Sequence, residues 1–273
     1  MAKNCLAALV FTVVVSGGIY AQTPFRLSAG LGGFTGGDFG GGVDVSANIP
    51  GSVIGVPGTV SVDLSHETPY FGGGAFIFLD ATYAELSFGF FGGSGESKST
   101  INMNLGGFFA VPPETIKTDM TYLGLTVGLL LKYPVAIGDK LSVFPLFGID
   151  YQIMLSVKDK DGNEGVSGVP DRISGLIGAV IPDDETINSV INNIFDSKSG
   201  DYSAFWFKLG AGADYSFTDK VYLRLEALYG IRLLNDFEKN MDDMLGPYKI
   251  LGVKTDERLG HGFSAKAAVG YRF

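Results

Sequence analysis

The chain runs to 273 residues with 40 glycines, is 46% apolar and only 18% charged, and carries a formal net charge of −9. That balance excludes a disordered polyelectrolyte and offers nucleic-acid phosphates no clustered cations to meet. The single cysteine excludes a disulfide framework and a multi-thiolate metal site, and the length suits one barrel-like domain or two ordinary ones.

Residues 1–21 read as a secretory signal peptide. Lys3 supplies the positive start, 6–15 form a short apolar stretch, and small residues lead to Ala21 just before the expected cut. A transmembrane helix would need about 20 apolar residues, more than this stretch has. Cys5 lies ahead of the apolar stretch and would leave with the peptide. The mature domain is then 22–273.

From there on, apolar and polar residues alternate over stretches of about ten, each closed by turn residues, as in strands. Eight such stretches follow in order: 25–34, 70–79, 83–91, 120–133, 141–155, 202–217, 221–234 and 262–273. The connections 80–82, 134–140 and 218–220 are short, while 35–69, 92–119, 156–201 and 235–261 are long. They alternate strictly. A soluble sandwich has no cause to sort its loops so, whereas a membrane barrel has short turns at one rim and long loops at the other. Closure also pairs every backbone N–H and C=O within lipid. The expected fold is all-β: an eight-stranded antiparallel transmembrane β-barrel with short periplasmic turns and long extracellular loops.

Parity assigns the faces of the strands. In the seventh, Val221, Leu223, Leu225, Ala227, Tyr229, Ile231 and Leu233 share the lipid side, and in the fourth Leu123, Leu125, Val127, Leu129 and Leu131 do the same. The opposite parity sends Arg26, Glu85, Lys132, Asp150, Lys208, Asp214, Arg224, Glu226, Arg232, Lys266 and Arg272 inward, seven cations and four anions. Counted outward from the turn 218–220, Asp214 falls opposite or diagonal to Arg224. Glu226 should lie at a similar depth to Lys266 on the neighbouring strand. Buried charges persist when paired, so this set predicts a polar plug in the half of the lumen nearer the short turns. Phe144, Leu146, Trp206 and Leu228 share the inward parity farther up. In the second strand 75–79 is apolar throughout and leaves its facing open. Phe25, Tyr133, Tyr215, Phe217, Tyr271 and Phe273 form an aromatic girdle at the short-turn rim, with Tyr151, Phe205, Phe207, Tyr229 and Phe263 as candidates for the other.

The chain ends AKAAVGYRF, with Phe263, Ala265, Ala267, Val269, Tyr271 and Phe273 on one face. This ending, the leader and the sorted loops together resemble the small eight-stranded outer-membrane proteins of diderm bacteria, the group that includes OmpX, the OmpA transmembrane domain and OmpW. The resemblance covers 22–273 and rests on architecture and the terminal strand, not on a catalytic motif. It implies residence in the outer membrane, contact with its lipid, and a C-terminal assembly signal read by the barrel-assembly machinery. Two roles follow from it, the first the leading expectation and the second its alternative. An OmpW-like barrel is a narrow conduit or binding barrel for small, hydrophobic solutes. An OmpX-like one is a surface-exposed adhesion protein that meets host surface molecules and uses its barrel only as an anchor. A lumen filled with paired charges favours the anchor, and an apolar lumen with a side exit favours the conduit.

Catalytic chemistry finds little support. His66 in the first long connection and His261 at the start of the last strand read as polar loop residues. The run 159–164 resembles a calcium loop but lacks the glycine and glutamate spacing that an EF-hand needs, and reads as a solvated hairpin tip. Residues 183–195 have the apolar spacing of a short helix with acidic residues at its start. Glycines 40–42 do not join a strand to a helix, so no phosphate site is expected. The expectation is a protein without cofactor or enzymatic activity.

Overall fold

The structure, a computed structural model, describes residues 26–50, 58–105, 109–163, 202–235 and 254–273. The leader at 1–21 and the helix expected at 183–195 lie outside the described residues. The strands are β1 (Leu27–Phe39), β2 (Gly42–Pro50), β3 (Thr59–Glu67), β4 (Tyr70–Ala81), β5 (Ala84–Leu105) and β6 (Phe109–Lys132). They continue with β7 (Val135–Ile137), β8 (Leu141–Asp159), β9 (Ala204–Ser216), β10 (Val221–Asn235), β11 (Lys254–Arg258) and β12 (His261–Arg272).

Eight of these, β1, β4, β5, β6, β8, β9, β10 and β12, pair antiparallel in a closed ring, β12 returning to β1. Following cross-strand partners once round from Phe144 returns to β8 at Met154, ten residues on. That stagger tilts the strands around an interior that side chains fill.

The short turns carry their own caps. Thr82, at φ 43°, accepts the Arg26 N–H on its hydroxyl at 2.7 Å. The Thr218 hydroxyl accepts the N–H of Val221 at 3.0 Å, closing the turn into β10.

The long connections depart from the expectation of loops. The segment 35–69 contains the rest of β1, then β2 and β3, while 92–119 carries β5 and β6 on past the barrel rim. Upper β5 pairs with β3, β3 with β2, and β2 with β11, so a five-stranded sheet ordered β11-β2-β3-β5-β6 grows out of the wall. β2 and β3 span only nine residues each, short of the stretches of about ten that mark the barrel strands. Pro112 and Pro113, which cannot donate to a ladder, fall at the register break opposite 101–103.

The facing of the barrel strands follows parity. Leu31, Ile77, Leu125, Leu209, Leu225 and Val269 are exposed on the outside, where a membrane would cover them. In β4 the open question is resolved by Phe76, Phe78 and Asp80, all buried within the lumen. Tyr215, Phe217, Tyr271 and Phe273 are exposed at the short-turn rim, and Phe39, Phe71, Tyr229 and Phe263 at the opposite one. Lumen rings lie over glycines of neighbouring strands: a Cβ on Gly270 would stand 2.2 Å from Tyr222, and one on Gly212 2.3 Å from Phe144.

His66 is not a solvated loop residue. It is buried on the inner face of β3, with Nδ1 2.8 Å from the Ser99 hydroxyl of β5. Burial lowers its pKa from 6.5 to about 4, with Glu67 opposing the shift and Arg258 adding to it. Unfolded His66 takes up a proton below pH 6.5, and the folded sheet resists this until about pH 4. Stability present above 6.5 is therefore lost on acidification, at about 1.4 kcal/mol per pH unit inside that window. Hydrogen exchange of β3, corrected for intrinsic rates, should quicken across it, and a His66→Leu protein should show a flatter response.

Candidate functional site

The distinctive chemistry lies in the lumen. Arg224, projecting inward from β10 with 1% of its surface exposed, is its centre. Its Nε and Nη2 donate to the two Asp214 oxygens at 2.8 Å each, in the bidentate geometry that makes such pairs strong. Nη2 also reaches Asp80 at 2.6 Å and Nη1 reaches Glu85 at 2.5 Å. The register explains the first contact, since Arg224 and Asp214 are direct cross-strand partners. Three aromatic rings, Phe78, Tyr222 and Phe144, stand 4.9, 5.3 and 5.4 Å from the guanidinium carbon. Their π faces attract the cation while excluding water from it.

Around this hub the other charges pair. Lys132 donates to Asp80 at 2.6 Å. Lys208 donates to Asp150, which also accepts from Thr126. Lys266 stands 3.5 Å from Glu226, its register partner, and 3.7 Å from Glu85. Higher up, Arg232 donates to Asp38 at 2.8 Å, and Gln152 accepts from Tyr70 at 2.6 Å and from Trp206 at 3.0 Å.

Of the eleven residues that parity sends inward, nine thus meet in the closed interior. Arg26 does not. It precedes β1 and is exposed at the rim, because the strand starts only at Leu27. Arg272 is half-buried at the same mouth, donating to Ser216 at 2.8 Å with its guanidinium 4.4 Å from the Tyr222 ring. Two anions are additional to that set, Asp80 and Asp38, and they supply partners to three of its cations. Asp80 shares parity with Phe76 and Phe78 but reads as a turn residue. Asp38 shares parity with Phe34 but lies beyond the expected end of the first strand.

The network divides the interior. Below it, a cavity of about 290 Å³ opens at the short-turn rim, lined by Arg26, Asp80, Lys132, Asp214 and Arg272 among others. Above it, a cavity of about 50 Å³ lies among Phe34, Phe76, Phe91, Trp206, Lys208 and Lys266. At roughly 10–15 Å³ of such volume per water, the upper one holds only a few. An apolar cluster of Leu130, Phe144, Leu146 and Leu228 fills the wall beside the hub.

Elsewhere the described residues offer no three His, Cys, Asp or Glu side chains placed to hold a metal ion. The 159–163 turn uses its calcium-like sequence to close on itself, with Asp159 accepting the N–H groups of Asp161 and Asn163 at 2.9 Å each. His261 stacks on Tyr229, whose hydroxyl lies 2.6 Å from Nδ1.

A family model described as outer membrane protein beta-barrel domain matches residues 6–273. No curated protein matches the chain. Among solved structures, the outer membrane protein OprG from Pseudomonas aeruginosa is similar at a TM-score of 0.32 and 11% identity, over 90% of this chain and 97% of that one. The attachment invasion locus protein Ail of Yersinia pestis, solved with the heparin analogue sucrose octasulfate, gives 0.32 and 11%, over 92% and 100%. The outer membrane protease OmpT from Escherichia coli gives 0.30 and 7%, over 94% and 100%.

Proposed function

Because the chain belongs to the outer membrane protein β-barrel domain family and its lumen is filled by paired charges, we propose that it is a plugged barrel serving as the anchor for a surface-exposed sheet. It is a protein of the outer membrane. The observation that carries the anchor reading is Arg224, which holds Asp80, Glu85 and Asp214 across the lumen between the two cavities. What the barrel raises beyond its rim is the sheet β11-β2-β3-β5-β6, a non-catalytic surface through which the protein meets molecules of a host or neighbouring cell. Export by the leader 1–21 and recognition of the terminal strand by the assembly machinery complete this reading.

Reconstituted into liposomes, the protein should admit small solutes no faster than empty vesicles do. Free passage of ions or hydrophobic solutes through the parent protein would overturn the anchor reading. The conduit reading has one observation of its own: two cavities lie in line, with the Arg224 network between them. The orientation is tested separately. Protease added to intact cells should cut within the long connections and spare the turns near Asp139 and Asp219.

A further inference from the structure

The closed part of the lumen holds more carboxyl groups than cations. Among the described residues, the buried set is Asp38, Asp80, Glu85, Asp150, Asp214 and Glu226 against Lys132, Lys208, Arg224, Arg232 and Lys266. Arg232 is taken by Asp38 and Lys208 by Asp150. Around the hub, four carboxyl groups then face three cations.

The surplus is local. Glu85 and Glu226 have side chains with 0% exposure, and both approach the same ammonium, Lys266, at 3.7 and 3.5 Å. These contacts are longer than hydrogen bonds. Glu85 Oε1 and both oxygens of Glu226 have no hydrogen-bond partner. Arg224 offers little relief, since it is spent on Asp214, Asp80 and the other oxygen of Glu85, and stands 4.0 Å from Glu226. A buried, unneutralised carboxylate is costly enough that its charge must be cancelled on the spot. The described residues provide no cluster that would hold a metal ion there.

We propose that Glu85 and Glu226 bind one proton between them, the undissociated carboxyl of one donating its O–H to the carboxylate of the other. The proton comes from solvent as the barrel closes, and no other bond is made or broken. It brings the cluster to neutrality and satisfies two of the three unpartnered oxygens. The groups that surround it are Asp80 from β4, Lys132 from β6, Asp214 from β9, Arg224 from β10 and Lys266 from β12, with the Asp150–Lys208 pair beyond. Alkaline medium removes the proton, sets two carboxylates against one ammonium, and loosens the plug. The inference goes beyond the anchor reading and holds whether or not the barrel conducts.

Infrared spectroscopy of the folded protein in vesicles tests it. At neutral pH the parent should show the carbonyl stretch of an undissociated carboxylic acid, and the band should vanish in both Glu226→Gln and Glu85→Gln. The parent should also lose thermal stability in alkaline buffer, a loss that Glu226→Gln abolishes. A parent without the band, or a band that survives in both variants, would overturn the proposal. Should one variant fail to insert, the parent spectrum and the other variant still decide. Solute leakage is a separate readout, so a conducting barrel that keeps the band retires only the anchor reading.

Discussion

Replacing Arg224 with alanine should destabilise the barrel by about 3–5 kcal/mol, the cost of stranding buried partners of a lost charge. The partners here are Asp80, Glu85 and Asp214, each within 2.8 Å of the guanidinium and all buried. Urea unfolding in lipid, followed by the gel shift between folded and unfolded barrel, would read the change. The loss should shrink when Asp214→Asn and Glu85→Gln are added, because the variants then remove the charges that Arg224→Ala leaves unpaired. Such non-additivity is the mark of one network. The same variant should also raise conductance, since the two lumen cavities would join. An unchanged unfolding midpoint would mean that the charges are hydrated rather than sealed.

One residue along, the expected result reverses its physics. Leu225→Arg should cost about 2–4 kcal/mol, as for a cation placed near the middle of a bilayer. Leu225 points away from the lumen with 51% exposure, and its ladder partner Ala267 sits between Tyr271 at one rim and Phe263 at the other. Tyr229→Arg, near the rim, should cost only about 0–1 kcal/mol, because the penalty falls toward the interface. Refolding titrations into vesicles would compare the two. Equal costs would place the bilayer elsewhere on the barrel. Arg224, Leu225 and Glu226 thus form a run in which successive residues answer to different solvents.

Much of this is legible in the chain because the strand period is two and a membrane barrel obeys it on every strand. The pairing of Asp214 with Arg224 can be counted from a three-residue turn, and Glu226 and Lys266 share parity and depth on neighbouring strands. Where both parities are apolar, as in 75–79, alternation carries no signal. Asp80 then reads as a turn residue, although it is a buried partner of both Arg224 and Lys132. The sheet beyond the rim is hidden differently. Two of its pairings, β2 with β11 and β3 with β5, join residues far apart in sequence, Lys254 with Ser46 for instance, and no local rule reports such a partner. Buried His66 belongs to the same blind spot, since its burial depends on β3 meeting the far end of β5.

β5 and β6 run unbroken for 22 and 24 residues, from inside the barrel wall to the far end of the outer sheet. At about 3.3 Å per residue, each strand is a span of roughly 70–80 Å whose lower half is locked into a closed ring. A surface carried on such a shaft has surrendered its rotational freedom before any encounter. A tethered domain must give up that freedom on binding, a cost of several kcal/mol that the rigid mount avoids. In the proposed anchor role the mount also dictates approach: a partner would meet the sheet at one fixed angle to the cell surface.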